Sequence, residues 1–132
     1  MDMVKNKPQG SPGISGAQED YLKAIYVLSK KKPVVRITDI ALYLGISKPS
    51  VNRAVNTLKR RGLVFHEPYG DITLTAEGEA MGDAFFRRHN VIKKFLKDVL
   101  SVPEDQAELE AKSIGNTVSL STVEKMAEYM DI

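Results

Sequence analysis

The 132-residue chain contains no cysteine. Disulfides, Cys-ligated zinc, iron–sulfur clusters and cysteine nucleophiles are excluded together. No apolar run approaches the roughly 18–20 residues needed to span a bilayer, and no apolar stretch follows the early lysines as a signal peptide requires. Gly-rich phosphate loops, HExxH and GxSxG are also missing, so the sequence carries no enzyme signature. The expectation is a cytoplasmic, non-enzymatic globular protein. Its 42% apolar and 27% charged residues are ordinary for that class, and its length suffices for a core without staples.

Net charge is +2, but unevenly distributed. Met1 to Leu74 holds 12 Lys and Arg against 6 Asp and Glu, whereas Thr75 to Ile132 holds 7 against 11. A basic first half beside an acidic second half points to a polyanion as the partner of the first.

Residues 1–14 are rich in Pro, Gly, Lys and Asn without apolar periodicity, and read as a disordered arm. Ser15-Gly16-Ala17-Gln18 fits a capping box, after which Tyr21, Leu22, Ile25 and Leu28 recur at helical spacing. Pro33 ends that helix. Val34 to Ile37 is a short β-prone run, and Thr38 is positioned to cap a helix over Asp39 to Leu44. Gly45 supplies a tight turn. Ser47 caps a third helix that tolerates Pro49 in its first turn and turns Val51, Ala54, Val55 and Leu58 inward. Leu63 to Phe65 and Asp71 to Leu74 read as strands of a hairpin around Pro68-Tyr69-Gly70. Thr75 to Leu100 reads as one long helix with Met81, Phe85, His89, Ile92, Phe95 and Val99 along one face. Pro103 opens another helix, and Ser121 to Glu124 is a second capping-box candidate. The reading is a mostly α fold: a winged helix-turn-helix over 15–74 with a small β-hairpin wing, then a helical dimerisation domain over 75–132.

In ITDIALYLGISKPSVNR (Ile37 to Arg53), Ala41 permits a close helix crossing, Gly45 turns the chain, and Ile40, Leu44, Ile46 and Val51 fill the space between two helices. This is the steric requirement of a helix-turn-helix. The outward residues of its second helix are Lys48, Pro49, Ser50, Asn52, Arg53 and Asn56. Guanidinium suits guanine, amide suits adenine, and Ser suits bases or phosphate. Lys59 and Arg60, with Tyr69 on the wing, suit phosphate contacts, whereas His66 reads as a surface residue. A winged helix used as a protein-interaction module is the alternative of another class. The Asn52, Arg53 and Asn56 set fits base edges better than a flat acidic surface.

EDYLKAIYVL, then RITDIALYLGISKPSVNRAVNTLKRRGLV, a wing closing on LTAEG, and RRHNVIKKFL together resemble the metalloregulators typified by the diphtheria toxin repressor and the manganese transport regulator. The resemblance covers Gln18 to Tyr129. It implies a dimer built by the later helices that binds a palindromic double-stranded DNA operator and, with Mn(II) or Fe(II) bound, represses metal-uptake genes. It further implies metal ligands from the first helix, the long helix and the next. Asp20 and His89 match such ligands and Glu110 is kept. Lys23 and Lys93 stand at acidic positions, and Lys112, Gly115 and Asn116 replace further ligands. A shifted alignment would bring in Glu108. His89 reads equally as a histidine packed on the apolar helix face.

A charged lysine offers no acceptor, and its repulsion of a dication at about 4 Å amounts to several kcal/mol even at an effective dielectric near 20. The expectation is therefore a degenerate metal set of Asp20, His89 and Glu110 and no required cofactor. Lys23, Lys93 and Lys112 would supply the positive charge by pairing with Asp20 and Glu110. The alternative is a repressor still responsive to Mn(II) or Fe(II).

Overall fold

In the computed structural model, residues 14–68 and 70–132 are described. The expected arm, apart from Ile14, and wing residue Tyr69 lie outside them. The described residues divide into two compact units, 14–83 and 84–132, the division falling inside a helix.

The first unit opens with α1 (Gly16–Lys31), begun by the expected capping box: Ser15 Oγ accepts from the Gln18 N–H at 3.2 Å, and Gln18 Oε1 from the Ser15 N–H at 3.3 Å. Helix α2 (Ile37–Leu44) starts two residues earlier than expected and is not capped by Thr38. Asp39 does this work from inside the helix, accepting from the Arg36 N–H at 2.9 Å and from the Lys32 ammonium at 2.6 Å. Lys32, then the Arg36 N–H, holds the Asp39 carboxyl below its ordinary range. Helix α3 (Lys48–Arg60) and strands β1 (Val64–His66) and β2 (Ile72–Leu74) follow. The antiparallel hairpin pairs Val64 with Leu74, Phe65 with Thr73 and His66 with Ile72. Both strands begin one residue later than the sequence suggested. Leu63 is still occupied by the helix end, its N–H bonding Leu58 O at 3.0 Å. The β-prone run before α2 contributes a single bridge, Val35 to Ile72.

Leu22, Ile25, Val35, Ile40, Val51, Val55, Leu58 and Ile72 are almost entirely buried and form the core of this unit. Ile46, expected between the helices, is instead 38% exposed. It follows the left-handed Gly45, whose reversal carries it outward.

Helix α4 (Ala76–Lys94) is anchored at its start by Thr75. The Thr75 hydroxyl donates to Gly62 O at 2.7 Å and accepts from the Gly78 N–H at 3.0 Å, while its own N–H bonds Leu63 O at 3.0 Å. Farther along, Gly82 lies against the Tyr26 ring, Asp83 accepts a hydrogen bond from the Tyr26 hydroxyl, and Glu79 pairs with Lys30 at 2.5 Å.

In the second unit α4 does not continue as plain α-helix to Leu100. Phe95–Val99 is a π turn, closed by the Leu100 N–H on Phe95 O at 3.3 Å. Helices α5 (Glu104–Gly115) and α6 (Leu120–Met130) complete it. Ser119, rather than Ser121, caps α6, accepting from the Thr122 N–H at 3.2 Å. Val91, Ile92, Leu96, Ala107, Ala111, Val123 and Ala127 form the core. Val123 is buried, and Val118 and Met126 are half-buried against that core. Phe86, Leu100, Leu109, Leu120, Tyr129 and Ile132 are the exposed large apolar side chains of this unit.

Two glycines in α4 have no room for a side chain. A Cβ on Gly78 would lie 2.0 Å from Leu63 O, and one on Gly82 would lie 2.4 Å from the Tyr26 ring. Gly78→Ala and Gly82→Ala should each lower unfolding free energy by about 1–3 kcal/mol in urea titrations, despite alanine's higher helix propensity. Gly16→Ala, which meets nothing within 4 Å, should be neutral or slightly stabilising.

Candidate functional site

The presentation of α3 begins at the turn. Gly45, at φ 67°, ends α2 and allows the Gly45 and Ile46 N–H groups to bond Ala41 O at 2.9 and 3.1 Å. Ser47 Oγ then accepts from the Ser50 N–H at 3.3 Å. Pro49 falls in the first turn, where a missing N–H costs nothing. Val51, Val55 and Leu58 are 0% exposed, so the opposite side of α3 is fixed outward.

That outward side carries two ridges. Asn52, Asn56 and Lys59, spaced by four and three, line an open groove of about 650 Å³ together with Arg36 and Thr38 around the start of α2 and His66 on β1. Among the described residues lining the groove there is no carboxylate. Lys59 Nζ donates to the His66 carbonyl at 3.3 Å, tying the last turn of α3 to the wing. The second ridge is Arg53, Thr57 and Arg60. Arg53 Nη2 donates to Ser50 Oγ at 3.3 Å, and Arg60 Nη2 to Thr57 Oγ1 at 3.2 Å. Lys48 and Pro49 are exposed at the leading end of the helix and Ser50 is half-buried. The expected DNA-facing side chains are thus split between a groove and a ridge.

The sequence reading missed Arg36, Thr38 and His66. For His66 the signal was the alternation of VFH: Val64 is buried, Phe65 exposed, His66 half-buried, placing His66 on the face of Val64. Burial, then the nearby Lys59 charge, holds the His66 imidazole below its ordinary range, with Glu67 opposing.

The residues expected around a metal divide between the two units. In the first, Lys23 Nζ lies 3.5 Å from Glu19 and 3.9 Å from half-buried Asp20. In the second, a chain of charges joins the end of α4 and the π turn to α5. His89 Nε2 lies 3.1 Å from Glu108, and Lys93 Nζ lies 2.9 Å from Glu108 and 3.1 Å from Glu104. Lys97 Nζ lies 2.7 Å from Glu104. Lys93 is therefore held by Glu104 and Glu108, whereas the sequence reading paired it with Asp20 or Glu110. Glu110 accepts from the Gln106 amide at 3.1 Å, and Lys112 is exposed.

The hydrogen bonds that Lys93 donates to Glu108, then to Glu104, push its pKa up. Lys93 lowers that of Glu108, and Lys97, then Lys93, that of Glu104. All three groups hold their charges more firmly than in water. Among the described residues no group of three or more His, Asp or Glu converges in a way that could hold a metal ion. The nearest approach is the His89–Glu108 pair, where Lys93 takes the next corner with three donors and no acceptor.

Comparison with known proteins gives this geometry its setting. Residues 14–72 match the family described as "Iron dependent repressor, N-terminal DNA binding domain", and residues 75–131 match "Iron dependent repressor, metal binding and dimerisation domain". The HTH-type transcriptional regulator MntR of Lysinibacillus sphaericus (strain C3-41) is 28% identical over 116 residues, 88% of this chain and 83% of that protein. MntR of Bacillus subtilis (strain 168) is 27% identical over 114 residues, 86% and 80% of the two. Among solved structures, the manganese regulator SloR superposes with a TM-score of 0.74 at 31% identity, covering 86% of this chain and 53% of its own. A manganese-dependent transcriptional repressor in complex with manganese gives 0.78 at 27% identity, covering 86% and 52%. The chain thus spans about half the length of these solved relatives. With two successive family domains matched across nearly all its described residues, the chain belongs to the iron-dependent repressor family of transcriptional regulators.

Proposed function

We propose that this protein is a homodimeric, sequence-specific DNA-binding transcriptional regulator whose DNA-binding form does not depend on a bound dication. The observation that carries the DNA reading is α3. One face is sealed into the core by Val51, Val55 and Leu58, which aims Asn52, Asn56 and Lys59, and separately Arg53 and Arg60, at whatever docks there. Amides and a guanidinium address base edges in a major groove, while Lys59 and Arg60 address phosphates. The family description of the second domain as a dimerisation domain supports a two-fold dimer, with two α3 helices on half-sites about one helical turn apart. The exposed Leu100, Leu109, Leu120 and Tyr129 supply apolar surface for such an association.

Independence from metal rests on the charge chain of the second unit. One solved relative is a manganese-dependent repressor in complex with manganese. Here Lys93 brings a fixed ammonium to Glu104 and Glu108. An ammonium ties carboxylates together without imposing coordination geometry. The second reading, a repressor still responsive to Mn(II) or Fe(II) through Asp20, His89 and Glu110, is favoured by the family description of a metal-binding domain.

DNA selected from a random pool should bind more tightly than bulk duplex, with affinity falling steeply as salt rises. Arg53→Ala should relax base preference, whereas Lys59→Ala should weaken all sequences alike and shallow the salt slope by about 1. Equal affinity for selected and random duplex would overturn the reading. Sedimentation should show a dimer at roughly tens of micromolar, and a monomer there would count against the assembly.

Affinity for the selected duplex should be the same with Mn(II), Fe(II) or excess chelator. A tenfold gain on adding metal, equivalent to about 1.4 kcal/mol of coupling, would establish the metal-responsive alternative. Mn(II) should leave the melting temperature of the wild-type protein unchanged and raise that of Lys93→Glu, in which an acceptor replaces the ammonium.

A further inference from the structure

The groove beside α3 contains a titratable group unlike its neighbours. His66 shares the inner face of β1 with Val64 and meets Asn52, Asn56 and Lys59 across the groove, together with Arg36 and Thr38. The Lys59 ammonium lies over the His66 carbonyl at 3.3 Å. The wing and α3 are therefore joined where the groove is most basic. The same walls hold no carboxylate among the described residues. Such a surface matches a chain of phosphates better than an apolar or cationic ligand.

Resting on the DNA-binding reading above, we propose that this groove is a pH-responsive seat for the DNA phosphate backbone, in which protonated His66 joins Lys59 and Arg36 as a third cation.

The surrounding charges fix the sign. Lys59 on α3 opposes protonation of His66, Glu67 beside it favours protonation, and Arg36 before α2, which also lines the groove, engages Asp71 ahead of β2 at 3.3 Å. Burial and Lys59 keep the free imidazole neutral at neutral pH. A phosphate entering the groove brings negative charge beside the ring and raises its pKa, so binding takes up a proton. Affinity then grows as pH falls between the bound and free pKa values, by up to about tenfold per pH unit for each seated His66. Each additional phosphate neutralised also steepens the salt slope by about 0.9. Backbone contacts carry no base information, so the effect should be visible on random duplex.

The test uses the full chain and a fluorescent random-sequence duplex of about 30 base pairs, enough for two half-sites. Kd is measured by anisotropy from about pH 8 to about pH 5.5 at constant ionic strength, a range that brackets imidazole titration. Wild-type affinity should rise at least about fivefold more than that of His66→Gln, whose side chain hydrogen bonds but does not titrate. His66→Lys should bind at the upper end of the range as the wild type binds at the lower end, with a flattened profile. His89, the other histidine of the chain, is common to all three proteins. Parallel profiles for wild type and His66→Gln would overturn the proposal while leaving the DNA-binding reading intact. Absence of duplex binding at every pH would overturn both. Should His66→Gln not fold, as judged by circular dichroism, a His66→Lys profile as steep as the wild type's would overturn the proposal equally.

Discussion

Burial of one stripe of α3 is the constraint on which the first unit depends. Val51, Val55 and Leu58 admit no solvent, and they form one core with Leu22 and Ile25 of α1 and Ile40 of α2. Rotating α3 by a single residue would move all three out of that core and bring Asn52 and Asn56 in, at a cost of several kcal/mol in transfer free energy alone. The azimuth of the helix is therefore fixed by apolar burial, and its polar ridges inherit their direction. The wing is oriented by the same element, through the Leu63 N–H on Leu58 O and the Lys59 ammonium on the His66 carbonyl.

Features governed by one or two adjacent residues were legible in the sequence. Ser15 and Ser47 cap where their spacing indicated, Gly45 adopts the left-handed turn, and Pro33 lies just beyond α1. Where two residues competed for one role, sequence alone selected the wrong one. Asp39 displaces Thr38 because its carboxylate reaches the Arg36 N–H while also meeting the Lys32 ammonium, a partner seven residues away. Ser119 displaces Ser121 because the last helix begins two residues earlier than its acidic residue implied. Ile46 changed sides for a related reason: apolar identity does not state which way a turn will direct a side chain.

The candidate sites divide along the same line. Outward positions on α3 follow from helical periodicity, so the exposed side of that helix was largely readable. The groove was not, because Arg36, Thr38 and His66 come from separate elements and meet the α3 ridge only once the hairpin is folded. In the second unit, the resemblance to metalloregulators exposed the lysine substitutions but not their partners. Glu104 and Glu108 are one turn apart on α5, and only packing of α5 against the end of α4 brings both to Lys93. A cation supplied by the chain has no dissociation constant to match against its surroundings. Its effective concentration at the two carboxylates is set by the tether and does not vary with supply.

The π turn at Phe95–Val99 has a geometric consequence for that cluster. A π turn holds one residue more than the α turn it replaces, so it acts as an insertion absorbed within the helix. Each surplus residue turns everything downstream by about 100° relative to an uninterrupted α-helix. The segment thus sets the heading at which the chain leaves for Pro103, and with it the side of α5 that Glu104 and Glu108 present. A helix of the same composition but one residue shorter would keep its core side chains through Ile92 and send the following loop out on a different bearing.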